Sequence, residues 1–457
     1  MEEVFERIAG ALDADYVEFR YHRRISTSIR YANGEFEDFS RREKAGVGVR
    51  VLRSGSWGFS NTNDTSPEAV REAAEKAYRM AGALGEGGAR LAEARFFRGE
   101  YVTPGFEGLL EEPLEEKARF VLDLYKVDRP GSVKSVTVIY RELLDERHVW
   151  NTDGANARSR EARPEYIVFA TAMEGGETYV RWDGNGVLGG RGDLLSLGDP
   201  VELSRTVVSE AGALVTAPRP RGGRYRLILS PSIVGLLSHE AIGHTVEADL
   251  VESGSAVSGK LGQRVASPII NLVDSGLEMP GSPPGTIIFD DEGVIASRTY
   301  VIREGVLRSY LTDRERAARL GIEPTGNARA WDHSVPPIVR MRNTYIEPGD
   351  WTLEELIEDT EEGYLLEGGG GGQADANAEF FFSIQKVKRI EKGEIAATLR
   401  GTAITGQAFE VLSSADAATR EWSMSMNTGH CGKIQPAKVA GGGPYLRVVA
   451  QLAGVSG

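Results

Sequence analysis

The sequence predicts an α+β protein: a mixed α/β domain over residues 1–217, then a β-rich domain over 222–457 built around one chemistry-bearing helix. Three observations lead there. Strand-like apolar runs recur along both halves, interrupted by a few stretches of helical period. The run APRPRGG at 217–223 breaks the chain between them. At 457 residues the chain also exceeds the size at which a single hydrophobic core keeps growing. The first domain divides further into stretches of about 1–85 and 110–217.

Residues 3–12 place Val4, Phe5, Ile8, Ala9 and Leu12 at helical spacing, which predicts a short opening helix. From Tyr16 to Ser60 the pattern turns strand-like. Asn33-Gly34 between two such runs predicts a hairpin, because a type I′ turn needs positive φ at both central residues. Arg53-Ser54-Gly55 reads as a second hairpin loop. Ser66-Pro67 opens a helix to about Met80, with Ser66 as cap and Pro67 in its first turn. Residues 84–112 read as irregular and 113–126 as a helix. Strands follow at VKSVTVIY, RHVWNT, EYIVFATAM and TYVRW, then a loop to Pro200 and a helix over 201–216. Beyond the break, YRLILS (225–230) is a buried strand running straight into a helix at Pro231. Further strands are expected near 286–290, 297–310, 338–346, 379–390 and 394–404, with helices near 352–360 and 407–419. The run Gly368–Gly372 reads as a flexible loop or a close backbone approach.

The Pro231 helix carries the chemistry. His239-Glu240-Ala241-Ile242-Gly243-His244 has the form HExxxH, one residue longer than the HExxH of zinc peptidases. Residues four apart on an α-helix differ by about 40° around its axis, and residues five apart by about 140°. A π-type turn, whose repeat suits the longer spacing, would bring the two imidazoles together. Gly243 would tolerate that distortion. By spacing alone the motif fits a polar turn on a core helix equally well. Its environment tips the balance. Two of the chain's six histidines sit beside a carboxylate on an otherwise apolar helix (Ile233, Val234, Leu236, Leu237). Buried polar groups need partners, and a divalent cation supplies them.

Two histidines leave a zinc site incomplete, since the catalytic pattern is three protein ligands and an open position. Glu247, Asp249, His333, His430 and Cys431 are the candidates for the third. A lone cysteine is ordinarily a small buried hydrophobe. Cys431, however, sits in the glycine-flanked Gly429-His430-Cys431-Gly432, and the unfinished histidine pair favours it as ligand. Glu240, beside the first ligand, is the expected general base that takes a proton from the attacking water. Metal-assisted amide hydrolysis is the reaction class these residues suggest. Asp290-Asp291-Glu292 reads as a solvated turn before a second metal, and His333 as a loop histidine bonded to Asp332 before a cleft residue. GNGVLG at 184–189 matches GxGxxG but opens no helix, so it predicts no dinucleotide site.

Beyond the histidine motif, the chain resembles the TldD/PmbA family of metallopeptidases, also described as modulators of DNA gyrase. The resemblance runs through GVGVRVLRSGSWGFSNTN (46–63), FDDEGVIASRTYVIREGVLRSYLTDRERAARLG (289–321), TGNAR (325–329) and RMRNTYIEPGD (340–350). It continues in GGGGGQADANAEFFFSIQKVKRIEKGEI (368–395), RGTAITG (400–406) and CGKIQPAKVAGGGP (431–444). It implies an N-terminal α/β domain and a β-rich C-terminal metallopeptidase domain that holds the metal helix. It maps the zinc ligands onto His239, His244 and Cys431 and the base onto Glu240. It further implies peptidase action on unstructured peptides or small, loosely folded proteins bound in extended form. The working unit it implies is a homodimer or a heterodimer with a metal-free paralogue. All four motif residues are present, which favours the catalytic member over the runner-up, a non-catalytic peptide-binding or regulatory subunit.

The bulk numbers exclude other classes. A net charge of −14 argues against a nucleic-acid footprint, which needs clustered Lys and Arg. No apolar run is long enough to span a membrane. The acidic, amphipathic start lacks the pattern of a secretory signal. One cysteine can form no internal disulfide, and a cytoplasmic location is the default.

Overall fold

The structure, a computed structural model, describes residues 1–455. Period-two alternation shapes its first half. β1 (Tyr16–Ala32), β2 (Glu35–Arg53), β3 (Ser56–Thr62), β4 (Arg98–Val102), β5 (Val133–Asn151), β6 (Asn156–Glu174) and β7 (Glu177–Gly186) form one sheet. The order is β3-β2-β1-β5-β6-β4, with β7 also paired to β6. Asn33 at φ 53° and Gly34 at φ 91° make the expected β1–β2 turn. Ser66 caps the helix Pro67–Ala83 by accepting the Ala69 N–H.

Successive side chains on these strands face opposite ways, and the two faces differ in kind. One lies under the helices Pro67–Ala83, Leu114–Tyr125 and Pro200–Leu214, which bury Val47 and Val49 of β2, Val136 and Val138 of β5 and Val168 of β6. Each such side chain contributes roughly 1.5–3 kcal/mol by leaving water. The other face is charged: Glu18, Arg20, His22 and Arg24 alternate along β1, with Asp145 and Arg147 on β5 and Glu161 and Arg163 on β6. This face meets the second half of the chain. Arg147 pairs with Asp291 at 2.6 Å, Arg50 with Glu292 at 2.9 Å and Lys44 with Asp332 at 2.7 Å. Gly46 and Gly48 allow the close approach, since a Cβ there would lie 2.3 Å from the His333 ring and 2.4 Å from its carbonyl oxygen.

The second half contains β8 (Gly223–Leu229), β9 (Leu272–Ser275), β10 (Arg298–Arg303), β11 (Val306–Leu307), β12 (Ala328–Arg329), β13 (Ile338–Val339) and β14 (Asn343–Ile346). After these come β15 (Glu362–Ala374), β16 (Glu379–Glu391), β17 (Glu394–Gln407), β18 (Ala417–Met426), β19 (His430–Lys433), β20 (Gln435–Lys438) and β21 (Ala440–Leu452). β8, β15, β16, β17 and β21 pair in a closed ring, because β21 bonds to both β17 and β8. The result is an α+β molecule with a β-barrel in its C-terminal part. β21 also carries β14 and β18, and β9 to β11 extend the sheet from β14. β19 and β20 form a separate hairpin.

Several expectations change in detail. The two strands expected within 133–151 are one, β5: the charged RELLDE between them alternates like the rest, turning Asp145 to the seam and Glu142 to Lys117 of the helix Leu114–Tyr125. The 84–112 stretch is ordered in part, as β4 and a short helix Phe106–Glu111. Arg191–Ser196 is a helix inside the expected loop. The region 286–290 makes only an isolated bridge, and the helix expected over 407–419 stops at Ser413, giving way to β18. Gly368–Gly372 belongs to β15, with a register shift between Gly369 and Gly372. Close approach explains its composition, since a Cβ on Gly372 would fall 2.3 Å from the Phe382 ring.

Candidate metal centre

β8 leads into the helix Pro231–Leu236, which packs on β21, β18 and β15 through Ile233, Val234 and Leu236. At Leu237 it changes to a π-helix that runs to Gly243, followed by a 3₁₀ turn over His244–Val246. The wider π repeat turns residues five apart towards one side. The His239 and His244 rings accordingly sit 5.3 Å apart between centroids. Gly243 serves a different end from the one expected. Its backbone is ordinary right-handed helix at φ −55°, and its missing Cβ makes room for Met341, whose Sδ lies 1.9 Å from where that atom would be.

The β19–β20 hairpin brings Cys431 to the same place. Its Sγ lies 3.2 Å from His244 Nε2, and one ligand atom each from His239, His244 and Cys431 fall within 4.8 Å of one another. No other group of three such residues gathers among the described residues. His239 is 1% exposed, and neither of its ring nitrogens has a hydrogen-bond partner. A buried polar group left unpaired costs about 1–3 kcal/mol, so two unpaired nitrogens on one ring call for a partner. Two imidazoles and a thiol of this reach are a donor set suited to zinc.

The other third-ligand candidates have other duties. Glu247, fully buried, accepts a hydrogen bond from His244 Nδ1 at 2.8 Å, which leaves Nε2 facing Cys431. Asp249 accepts two bonds from Lys433 at 2.9 Å each. His430 stands by Glu165 and Trp331, and His333 bonds Asn63 at 2.8 Å in place of Asp332. Asp290, Asp291 and Glu292 are buried at the seam, where Asp291 and Glu292 are ion-paired; the solvated turn expected there is absent.

Arg340 escaped the sequence reading. Fully buried, it donates to the Cys431 carbonyl at 2.8 Å and reaches Glu247 at 3.8 Å, so one guanidinium ties the cysteine hairpin to the carboxylate behind His244. Two arginines in the otherwise strand-like RMRNTYI were its only sequence signal. Glu240 lines a cleft of about 720 Å³ with Leu236, the Gly368–Gly372 backbone, Trp182 and Met426. Burial raises its pKa, with Glu247 adding to the rise and His244 opposing it. Burial holds His239 well below the usual histidine range, reinforced by His244, Arg340 and Arg329. Burial also pulls on His244, but its bonds to Cys431 and Glu247 prevail and hold it up at about 10.

Sequence comparison bears on this geometry. The C-terminal domain of PmbA/TldA metallopeptidases matches residues 222–453, domain 1 matches 17–81 and the central domain 107–215. This chain belongs to the PmbA/TldD metallopeptidase family. A metalloprotease of Methanocaldococcus jannaschii is 34% identical over 98% of this chain and 99% of its own length. The zinc metalloprotease TldD homolog of Saccharolobus solfataricus is 28% identical over 96% of each. TldE from Thermococcus kodakarensis shares the PmbA/TldD fold, with a TM-score of 0.78 over 100% of both chains at 21% identity. Relatives named as metalloproteases support a protease. No helix among the described residues is long and apolar enough to cross a membrane.

Proposed function

We propose that this chain is a zinc-dependent peptidase acting on unstructured peptides or small, loosely folded proteins, with Glu240 as general base. The observation that carries the reading is the meeting of His239, His244 and Cys431 around a histidine whose two nitrogens are otherwise unpartnered. Those three residues would hold the ion, which when bound supplies a Lewis acid that polarises the scissile carbonyl and acidifies a water. Glu240 Oε2 lies 3.8 Å from His244 Nε2, at the edge of the ligand cluster and open to the cleft. From there its carboxylate takes the proton of the attacking water and returns it to the leaving amine. Glu247 fixes the tautomer and direction of His244, as carboxylates behind zinc histidines do.

The cleft suits an extended chain. β8 pairs with β15 only as far as Leu366, so beyond that residue β15 has no strand on its β8 side among the described residues. Its glycine run lines the cleft there, with Ser423, Ser425 and Met426 of β18 also on the wall. Backbone pairing along such an edge gives affinity with little demand on side-chain identity.

Glu240→Gln tests the assignment. It is expected to retain zinc, measured by elemental analysis, and to lose cleavage of casein by roughly 10²–10⁴-fold. A variant that still cleaves at the wild-type rate overturns the role of Glu240. A wild-type protein that takes up no zinc overturns the metal.

A further inference from the structure

The charged seam between the two halves lines a second, small cavity of about 40 Å³, away from the Glu240 cleft. Its wall carries five cations: Arg24, Arg147, Arg163, Arg329 and Lys438. Four of them are answered. Arg24 forks onto Asp145 at 2.6 and 3.0 Å, Arg147 meets Asp291 at 2.6 Å, Arg163 meets Glu161 at 2.7 Å, and Lys438 pairs with Glu165.

Arg329 is the exception. It makes no ion pair among the described residues; its guanidinium donates only to the carbonyls of Met341 and Lys438, at 2.5 and 2.7 Å. Asp291, the carboxylate that most favours its charge, is already taken by Arg147 and by the Ala330 N–H. Burial, with Arg163 and Arg340 nearby, pushes the Arg329 pKa down to about 9. Burial likewise lowers that of Lys438 against the pull of Glu165. A second polar group is unfinished too: Arg24 Nη1 is buried without a partner. Arg329 is partly buried, and a charge without a counter-charge in such a place is costly.

We propose that this cavity binds a small inorganic anion, which completes the charge balance around Arg329. The space fits: a cavity needs about 10–15 Å³ to hold a single water, and 40 Å³ accommodates a halide or a compact oxyanion. Neutral water would fill the volume and leave the charge standing. The anion has a structural consequence, because the wall joins β1, β5 and β6 of the first half to Arg329–Trp331 and to Pro436–Lys438. The last segment is the returning strand of the hairpin that carries Cys431, so the anion braces that hairpin from behind.

The test uses the full chain in a buffer whose counter-ion is too bulky for the cavity, at constant ionic strength. Chloride, bromide and phosphate are titrated separately while the thermal midpoint is followed. At least one is expected to raise the midpoint saturably, by on the order of 2 °C at saturation. Chloride and bromide acting alone mark a halide site; phosphate acting alone marks an oxyanion site. Arg329→Gln is expected to remove the dependence. Anomalous scattering from a bromide-soaked crystal reads the same site without a variant and is expected to place bromide beside Arg329. A flat response to all three anions, the same response in Arg329→Gln, or a bromide-free cavity in the soaked crystal overturns the proposal.

Discussion

The seam between the halves and the π-helical turn of the second half both bury polar side chains, and they finish them differently. At the seam nearly every buried charge meets a counter-charge from another strand or from the other half, as Arg147 meets Asp291 and Arg50 meets Glu292. On the π-helix His239 is as deeply buried and meets nothing. Paired burial holds the architecture together, whereas the unpaired burial of His239 is what the proposed metal would relieve. The contrast needs reach as well as an orphaned atom. His333 also has a buried nitrogen without a partner, yet it belongs to no group of metal-capable residues.

Breaking a seam pair is expected to have the largest effect on stability. Asp291→Asn leaves Arg147 buried without its closest carboxylate and should cost about 3–5 kcal/mol, read by chemical denaturation. A loss under about 1 kcal/mol would mean the seam charges are already well solvated, and the contrast with His239 would weaken. Next comes the support behind the proposed metal ligands. Glu247→Gln keeps the shape but removes the charge that faces His244 and Arg340, and is expected to weaken zinc binding by about 10–100-fold in competition with a chelator. Unchanged affinity would reduce Glu247 to packing.

The smallest effect concerns His333. Burial holds its pKa at about 4, with Lys44, His22 and Arg20 acting in the same direction against Asp332. The folded value lies below the unfolded one near 6.5, so the folded state binds fewer protons. Its contribution to stability is complete above pH 6.5 and is lost as the pH falls from there towards 4. The ring's NMR titration should therefore have its midpoint near 4, and one near 6.5 would show the seam open to water around it.

Legibility in the sequence followed the same divide. The i, i+5 histidine spacing required a π-type turn, and the helix takes that form over Leu237–Gly243. The residues proposed as ligands and base stood out because few residue types do that chemistry, and three of them, His239, His244 and Cys431, gather in the structure. Arg340 was not, because its role lies in reaching the Cys431 carbonyl, 91 positions away in the chain, and no local pattern encodes such a contact. The long strand β5 was hidden for a related reason. Its charged middle looks like a solvated loop until His22 and Arg24 of β1, which meet Asp145, and Lys117, which meets Glu142, come into view. Gly243 shows a milder form: its presence was noticed, but its cause, the Met341 sulphur, lies on another segment.

X-ray absorption at the zinc edge of the metal-loaded protein tests the central claim most directly. The account predicts one sulphur neighbour at about 2.3 Å together with imidazole nitrogens at about 2.0–2.1 Å, the sulphur being lost in Cys431→Ser. A spectrum with only nitrogen and oxygen neighbours, or one unchanged by that substitution, would contradict it.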